Sequence, residues 1–144
     1  MQNIFVYGTL MSKPVLNKLT GKSFQSKQAI LTGYKRYCVR ECDYPAILND
    51  ADSETKGLVI FNVEDSDLEV FSFYEGDEYE KKWVEVLVNG EISRVVAFIW
   101  KKDRKLLEDK LWDLTGFENN SLEYYLKILI PATLEEFRKD DFLF

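Results

Sequence analysis

A chain of 144 residues and 16.9 kDa is the length of one domain, and 46% apolar with 31% charged residues is the composition of a packed fold rather than a disordered one. The net charge of −6, with no strong basic stretch, argues against nucleic-acid binding, where neutralising phosphates supplies much of the affinity. Histidine is absent, which removes Ser-His-Asp and Cys-His catalysis, His-ligated zinc and imidazole acid/base chemistry.

Residues 3–7, rich in β-branched and aromatic side chains, read as a buried strand that ends at Gly8-Thr9. Ser12 is a candidate N-cap, with Pro14 in the first turn and Val15, Leu16 and Leu19 giving a short amphipathic helix that stops before Gly21. Residues 26–40 suggest one or two strands, 46–48 a short strand after Pro45, and 57–63 a further strand. Ser66-Asp67-Leu68-Glu69 reads as a capping box opening a helix over 67–75, with Gly76 as its stop. Residues 79–88 and 92–100 are two strands joined at Asn89-Gly90, a type I′ hairpin pair. Residues 103–112 and 121–129 have helical spacing, and Thr133-Leu134-Glu135-Glu136 starts another turn. Trp112, Phe117, Tyr124, Tyr125 and Phe142-Leu143-Phe144 either cover one end of the sheet, the default reading, or face a partner. The fold class expected is α+β, one domain over 1–144, with a curled, largely antiparallel sheet.

No apolar run approaches the roughly 18 residues of a membrane span, and no basic stretch precedes a long apolar one at the N-terminus, so neither a membrane association nor a signal peptide is predicted. If Cys38 and Cys42 share a strand they lie about 13 Å apart, too far for a disulfide, so they read as reduced thiols of a cytoplasmic protein. Two thiols without histidine do not close a zinc site, and no metal is predicted.

Two segments carry candidate chemistry. In Val6-Tyr7-Gly8-Thr9-Leu10 a strand runs into a glycine turn before a helix. It is either a plain strand-to-helix turn or a cradle of backbone N–H groups for a small anion. In Tyr74-Glu75-Gly76-Asp77-Glu78-Tyr79, Glu75 is expected as the last residue of its helix. The helix C-terminus, the neighbouring Asp77 and Glu78, and burial against aromatic residues would each raise its pKa toward neutrality. Such a carboxyl group picks up and returns protons; the other reading is a solvated acidic turn.

Taken in order, Val6-Tyr7-Gly8-Thr9-Leu10, Tyr44-Pro45-Ala46-Ile47, Gly57-Leu58-Val59 and Phe73-Tyr74-Glu75-Gly76 with Tyr79 resemble the gamma-glutamylcyclotransferase-like family over residues 1–100, most closely its plant-defence and gamma-glutamylamine branch. The resemblance implies a closed, mixed-direction but mostly antiparallel β-barrel flanked by short helices. It implies that Tyr7, Gly8, Thr9 and Leu10 hold the α-carboxylate end of a small-molecule γ-glutamyl substrate, with Tyr79 also at the substrate. It also implies that Glu75 is the acid/base for ring closure to 5-oxoproline, with no cofactor. Arg40 is left open between a second carboxylate ligand and a surface charge. A non-catalytic module binding a carboxylate-bearing metabolite is the alternative.

Overall fold

The structure, a computed structural model, describes residues 1–142, and of residues 140–142 the backbone alone. It is a mixed α+β fold of six strands and several short helices. Strand β1 (Gln2–Val6) lies between β3 (Pro45–Val63), to which it is antiparallel, and β5 (Glu91–Trp100), to which it is parallel. β4 (Tyr79–Val88) pairs with β5 through the Asn89-Gly90 turn, where both residues have positive φ (51° and 79°) as a type I′ turn requires. β2 (Ser26–Val39) forms a long antiparallel hairpin with β3. β2 also meets β4 at a single register pair, Ile30↔Leu87, so the pairings β3–β1–β5–β4–β2 return to β3. A two-residue strand, β6 (Leu107–Glu108), adds to the other end of β2.

Both faces of β1 are buried, which is why its sequence is a continuous apolar run rather than an alternation. Ile4 and Val6 belong to a core shared with the helices, whereas Phe5 and Tyr7 belong to a second core enclosed by the curled sheet with Leu31, Ile47, Val84 and Ala97. The helix-side core takes Val15, Leu16 and Leu19 from α1 (Lys13–Thr20) and Leu68 and Phe71 from α2 (Asp65–Glu75). α3 (Leu114–Asn120) adds Phe117. The final helical segment runs from the single turn α4 (Leu122–Tyr124) through a π-helical turn, Tyr125–Leu129, into α5 (Ile130–Phe142). Pro131 accounts for the wide turn: it has no N–H to give the carbonyl of residue 127, and its ring crowds that carbonyl.

Four sequence expectations need correction. Residues 103–112 are not helical: a 3₁₀ turn (Arg104–Leu106) leads into β6, because pairing with β2 captures Leu107 and Glu108. The capping box of α2 lies two residues earlier, with Glu64 as N-cap and Asp67 at the third position. The strands read at 46–48 and 57–63 are one element, since the polar stretch between them is held by pairing with β2 rather than by an apolar face. Thr133 does not start a turn but lies inside α5. Of the C-terminal aromatics, Trp112, Phe117 and Tyr125 are buried and Tyr124 is exposed; the reading of Phe142-Leu143-Phe144 as a cover falls outside the described side chains.

Gly57 marks where β3 comes closest to β1: a Cβ there would stand 2.3 Å from the Val6 carbonyl oxygen and 2.8 Å from the Phe5 ring. Backbone cannot yield as a flexible side chain can. Gly57→Ala is therefore expected to cost about 3 kcal/mol, the upper part of the range for overpacking, read as a lowered urea midpoint at unchanged slope.

Candidate active site

The turn after β1 is shaped by a contact between two distant segments. A Cβ on Gly8 would meet Pro45 Cγ at 2.8 Å and Cδ at 2.9 Å. Gly8 has φ −132° and ψ −136°, so it is not in the left-handed region, and glycine is required there for space. Pro45, the first residue of β3, thus packs against the turn. Thr9–Met11 then forms one 3₁₀ turn, with Met11 N–H donating to the Gly8 carbonyl (2.9 Å) and Ser12 N–H to the Thr9 carbonyl (3.1 Å). The N–H groups of Gly8, Thr9 and Leu10 precede the first of these bonds and have no partner within the turn. Ser12 does sit at the N-cap of α1, but its hydroxyl donates to Glu118 Oε2 (3.0 Å) instead of capping.

Glu75 is the last residue of α2, and Gly76 (φ 82°) ends the helix with its N–H donating to the Ser72 carbonyl (3.0 Å). Glu75 lines the same niche as Tyr7, Gly8, Thr9 and Leu10, together with Tyr44, Pro45 and Phe98. The niche measures about 20 Å³. Glu75 keeps partial accessibility because the cavity opens onto it, yet protein surrounds it otherwise, and this burial raises its pKa to about 8. Burial is the whole cause. The expectation that Asp77 and Glu78 contribute is not met: Asp77 is exposed, and half-buried Glu78 accepts from the Tyr44 phenol.

The predicted site residues take different parts. Tyr7 is buried, and its phenol donates to the Phe98 carbonyl (2.6 Å). Thr9 Oγ1 and Tyr74 Oη share a 2.7 Å hydrogen bond that ties the turn to the end of α2. Leu10 is buried and anchors the turn in the helix-side core. Tyr79 donates to the Pro45 carbonyl (2.8 Å) and lies edge-on to Trp100. The phenols of Tyr7, Tyr74 and Tyr79 are all held well above their ordinary pKa, chiefly by burial, with the Glu75 charge adding to it. They stay neutral, leaving Glu75 as the group in the niche that titrates near pH 7. Arg40 takes no part: it is exposed, donating to the Lys105 carbonyl and pairing with Glu108 (3.0 Å).

The sequence reading missed Arg36 and Asp43. Arg36 donates to the carbonyls of Tyr7 (2.9 Å) and Lys56 (3.1 Å) and lies over the Trp112 ring, fixing the end of β1 from behind the niche. Asp43 accepts from Tyr125 Oη (2.6 Å) on its side chain and from Trp112 Nε1 (2.9 Å) on its carbonyl, tying the C-terminal aromatics to the segment before Pro45. Neither sits in a pattern that spacing could reveal. Cys38 and Cys42 are both free. Among the described residues no three Cys, Asp or Glu side chains converge as a metal site would need, and no helix is long and apolar enough to cross a membrane.

The family model described as "Gamma-glutamyl cyclotransferase, AIG2-like" matches residues 4–114. The chain belongs to that family. AIG2-like protein D of Arabidopsis thaliana is 31% identical over 132 residues, covering 89% of this chain and 86% of that protein. A solution structure of an Arabidopsis thaliana protein aligns at a TM-score of 0.68 and 28% identity, covering 96% of this chain and 84% of the other. A structure of a gamma-glutamyl cyclotransferase aligns at 0.60 with 14% identity, covering 91% and 86%, a likeness of fold alone. The matched span of this AIG2-like chain contains the Tyr7–Leu10 turn, Pro45, Gly57 and Glu75, the elements that frame the niche.

The raised pKa of Glu75 makes stability depend on pH. The unfolded carboxyl loses its proton near pH 4.3, whereas the folded one keeps it until about pH 8. This contribution is therefore present in full at low pH and lost as pH rises through that window. Glu75→Gln, which mimics the protonated acid at every pH, should melt progressively higher than the parent from pH 5 to 8, by about 5 °C at the top of the range, with no further gain above it.

Proposed function

We propose that the chain is a γ-glutamyl cyclotransferase-type enzyme, converting a γ-glutamyl amine or amino acid to 5-oxoproline and the free amine. One observation carries the reading: Glu75, whose carboxyl burial raises to about 8, lines the same niche as the Tyr7–Leu10 turn. Family membership supports it. The N–H groups of Gly8, Thr9 and Leu10, which have no partner within their turn, hold the substrate's α-carboxylate. Glu75 takes a proton from the substrate's α-amine as that nitrogen attacks the γ-carbonyl carbon. It then returns the proton to the departing nitrogen as the amide C–N bond breaks. The nucleophile belongs to the substrate, so the protein supplies position and proton transfer.

We take residues 1–144 as one functional domain, and the returning strand pairings support reading the sheet as a barrel. The free thiols fit a reducing, cytoplasmic setting.

Release of 5-oxoproline from a panel of γ-glutamyl amines and amino acids tests the reading. Glu75→Gln should lower kcat/KM by about 10³-fold, within the range of general acid/base catalysis. Undiminished release by that variant would remove Glu75 from the mechanism. In the parent, kcat/KM should fall below pH 8 as Glu75 protonates, and more steeply than in the variant, where only the limb set by the substrate's own α-amine remains.

A further inference from the structure

A cleft of about 660 Å³ shares no lining residue with the niche. Its size is that of a site for a small organic ligand. It lies on the β2–β3 hairpin, where Gln28 is paired with Leu58 and Ile30 with Lys56. Ala29, Leu31 and Val59 point into the enclosed core, so alternation turns Ile30, Lys56 and Leu58 to the opposite face. Met11, Leu87 and Leu114 add apolar wall from three other segments, and each is only partly buried.

Two cations line this cleft, Arg36 and Lys56, and among the described residues neither has a carboxylate within salt-bridge distance. That runs against the balance of a chain with net charge −6. Arg36 uses Nη1 alone on the Tyr7 and Lys56 carbonyls. Its other edge, Nε with Nη2, is the one that gives a carboxylate two parallel N–H···O bonds. Those nitrogens have no acceptor among the described residues, and they are not sealed from solvent. Burial holds the Arg36 pKa below its ordinary value, as for a guanidinium desolvated without a full counter-charge. The one carboxylate in the lining, Asp113, is engaged at the start of α3, accepting from the Gly116 N–H (2.6 Å).

We propose that this cleft is a binding site for a small amphipathic monocarboxylate. Its carboxylate lies on the Nε–Nη2 edge of Arg36 with Lys56 alongside, and its apolar body lies against Ile30, Leu58 and Leu114. Two cations against one acid leave room for a single negative charge. A dianion would set its second charge against Asp113 and the apolar wall. Neither Glu75 nor the Tyr7–Leu10 turn takes part, so the site stands apart from the proposed reaction.

Three probes test it by titration of backbone amide shifts in nuclear magnetic resonance spectra: 4-phenylbutyrate, its uncharged amide 4-phenylbutanamide, and phenyl phosphate. Saturable shifts are expected at Leu58 and Leu114, with 4-phenylbutyrate at least about tenfold tighter than the amide, since its bonds to the guanidinium are charge-assisted, and tighter than phenyl phosphate. Arg36→Lys keeps the charge and loses the fork, and should erase most of the preference for acid over amide. Lys56→Glu, at an exposed position, should weaken the acid several-fold and leave the amide unchanged, and it keeps the test decisive if the Arg36 variant fails to fold. Equal binding of acid and amide, or no saturable shift with the acid, would overturn the site. Tighter binding of phenyl phosphate would overturn the monocarboxylate class. Shifts centred on Gly8–Leu10 and indifferent to Lys56→Glu would place the carboxylate in the niche instead. None of these outcomes bears on the role of Glu75, which release of 5-oxoproline tests separately.

Discussion

A carboxyl group buried without a cation is the constraint around which this molecule is arranged. No lysine or arginine lines the niche beside Glu75 among the described residues. Ionising an acid there means stripping water from a charge and giving nothing of opposite sign in return, so the proton is held to about pH 8. An arginine at hydrogen-bond distance would pull the group back below neutrality and leave it a fixed anion. The emptiness around Glu75 is therefore functional in the proposed reaction, and it is built from neutral material: phenols too deeply buried to ionise, a proline and backbone.

Keeping such a group in place demands that segments remote in sequence be locked without charges. Pro45 closes on Gly8, and the Pro45 carbonyl receives the Tyr79 phenol. The Thr9–Tyr74 bond fastens the turn after β1 to the last residues of α2, and Arg36 holds the Tyr7 carbonyl from outside. Arg36 is the one cation in this set, and its bonds there go to backbone carbonyls rather than into the niche. These bonds join β1, β2, β3, α2 and β4, so a disturbance at any one of them moves the niche relative to Glu75. A shift of that kind costs rate without touching a reacting atom.

How much of this the sequence disclosed follows from how local each signal was. The end of α2 at Glu75 was legible because helical spacing and a glycine stop are read within one segment. The Asn89-Gly90 hairpin was legible for the same reason. The start of α2 was placed two residues late, since Glu64 and Asp67 satisfy the same two N–H groups that Ser66 and Glu69 would have served. Leu107 and Glu108 carry helical spacing but are claimed by the edge of β2, a partner nearly seventy residues away in the chain. Gly8 was legible as a glycine turn within its own segment, but the Pro45 ring that leaves no room for a Cβ there was not. Arg36 and Asp43 were invisible because each acts through a backbone group or a lone tyrosine that only the folded sheet brings near.

The absence of histidine acquires a sharper meaning in this setting. In the proposed reaction the substrate enters with an α-ammonium group and the products leave with an ammonium on the freed amine, so the chemistry is neutral in protons overall. Two protons leave the α-nitrogen and two reach the departing one, and a single carboxyl group relays them in turn. A free α-amino group has a pKa of about 7.7–8.0, and the Glu75 carboxyl is raised to about 8. Transfer between groups so matched costs little in either direction, which suits a residue that must act first as base and then as acid. A surface glutamate, some four units more acidic, would accept that proton only against a steep gradient. Burial moves a common side chain to the value the substrate's own nitrogen sets, and the acidic residues at 77, 78 and 80 contribute to the net charge without contributing to that tuning.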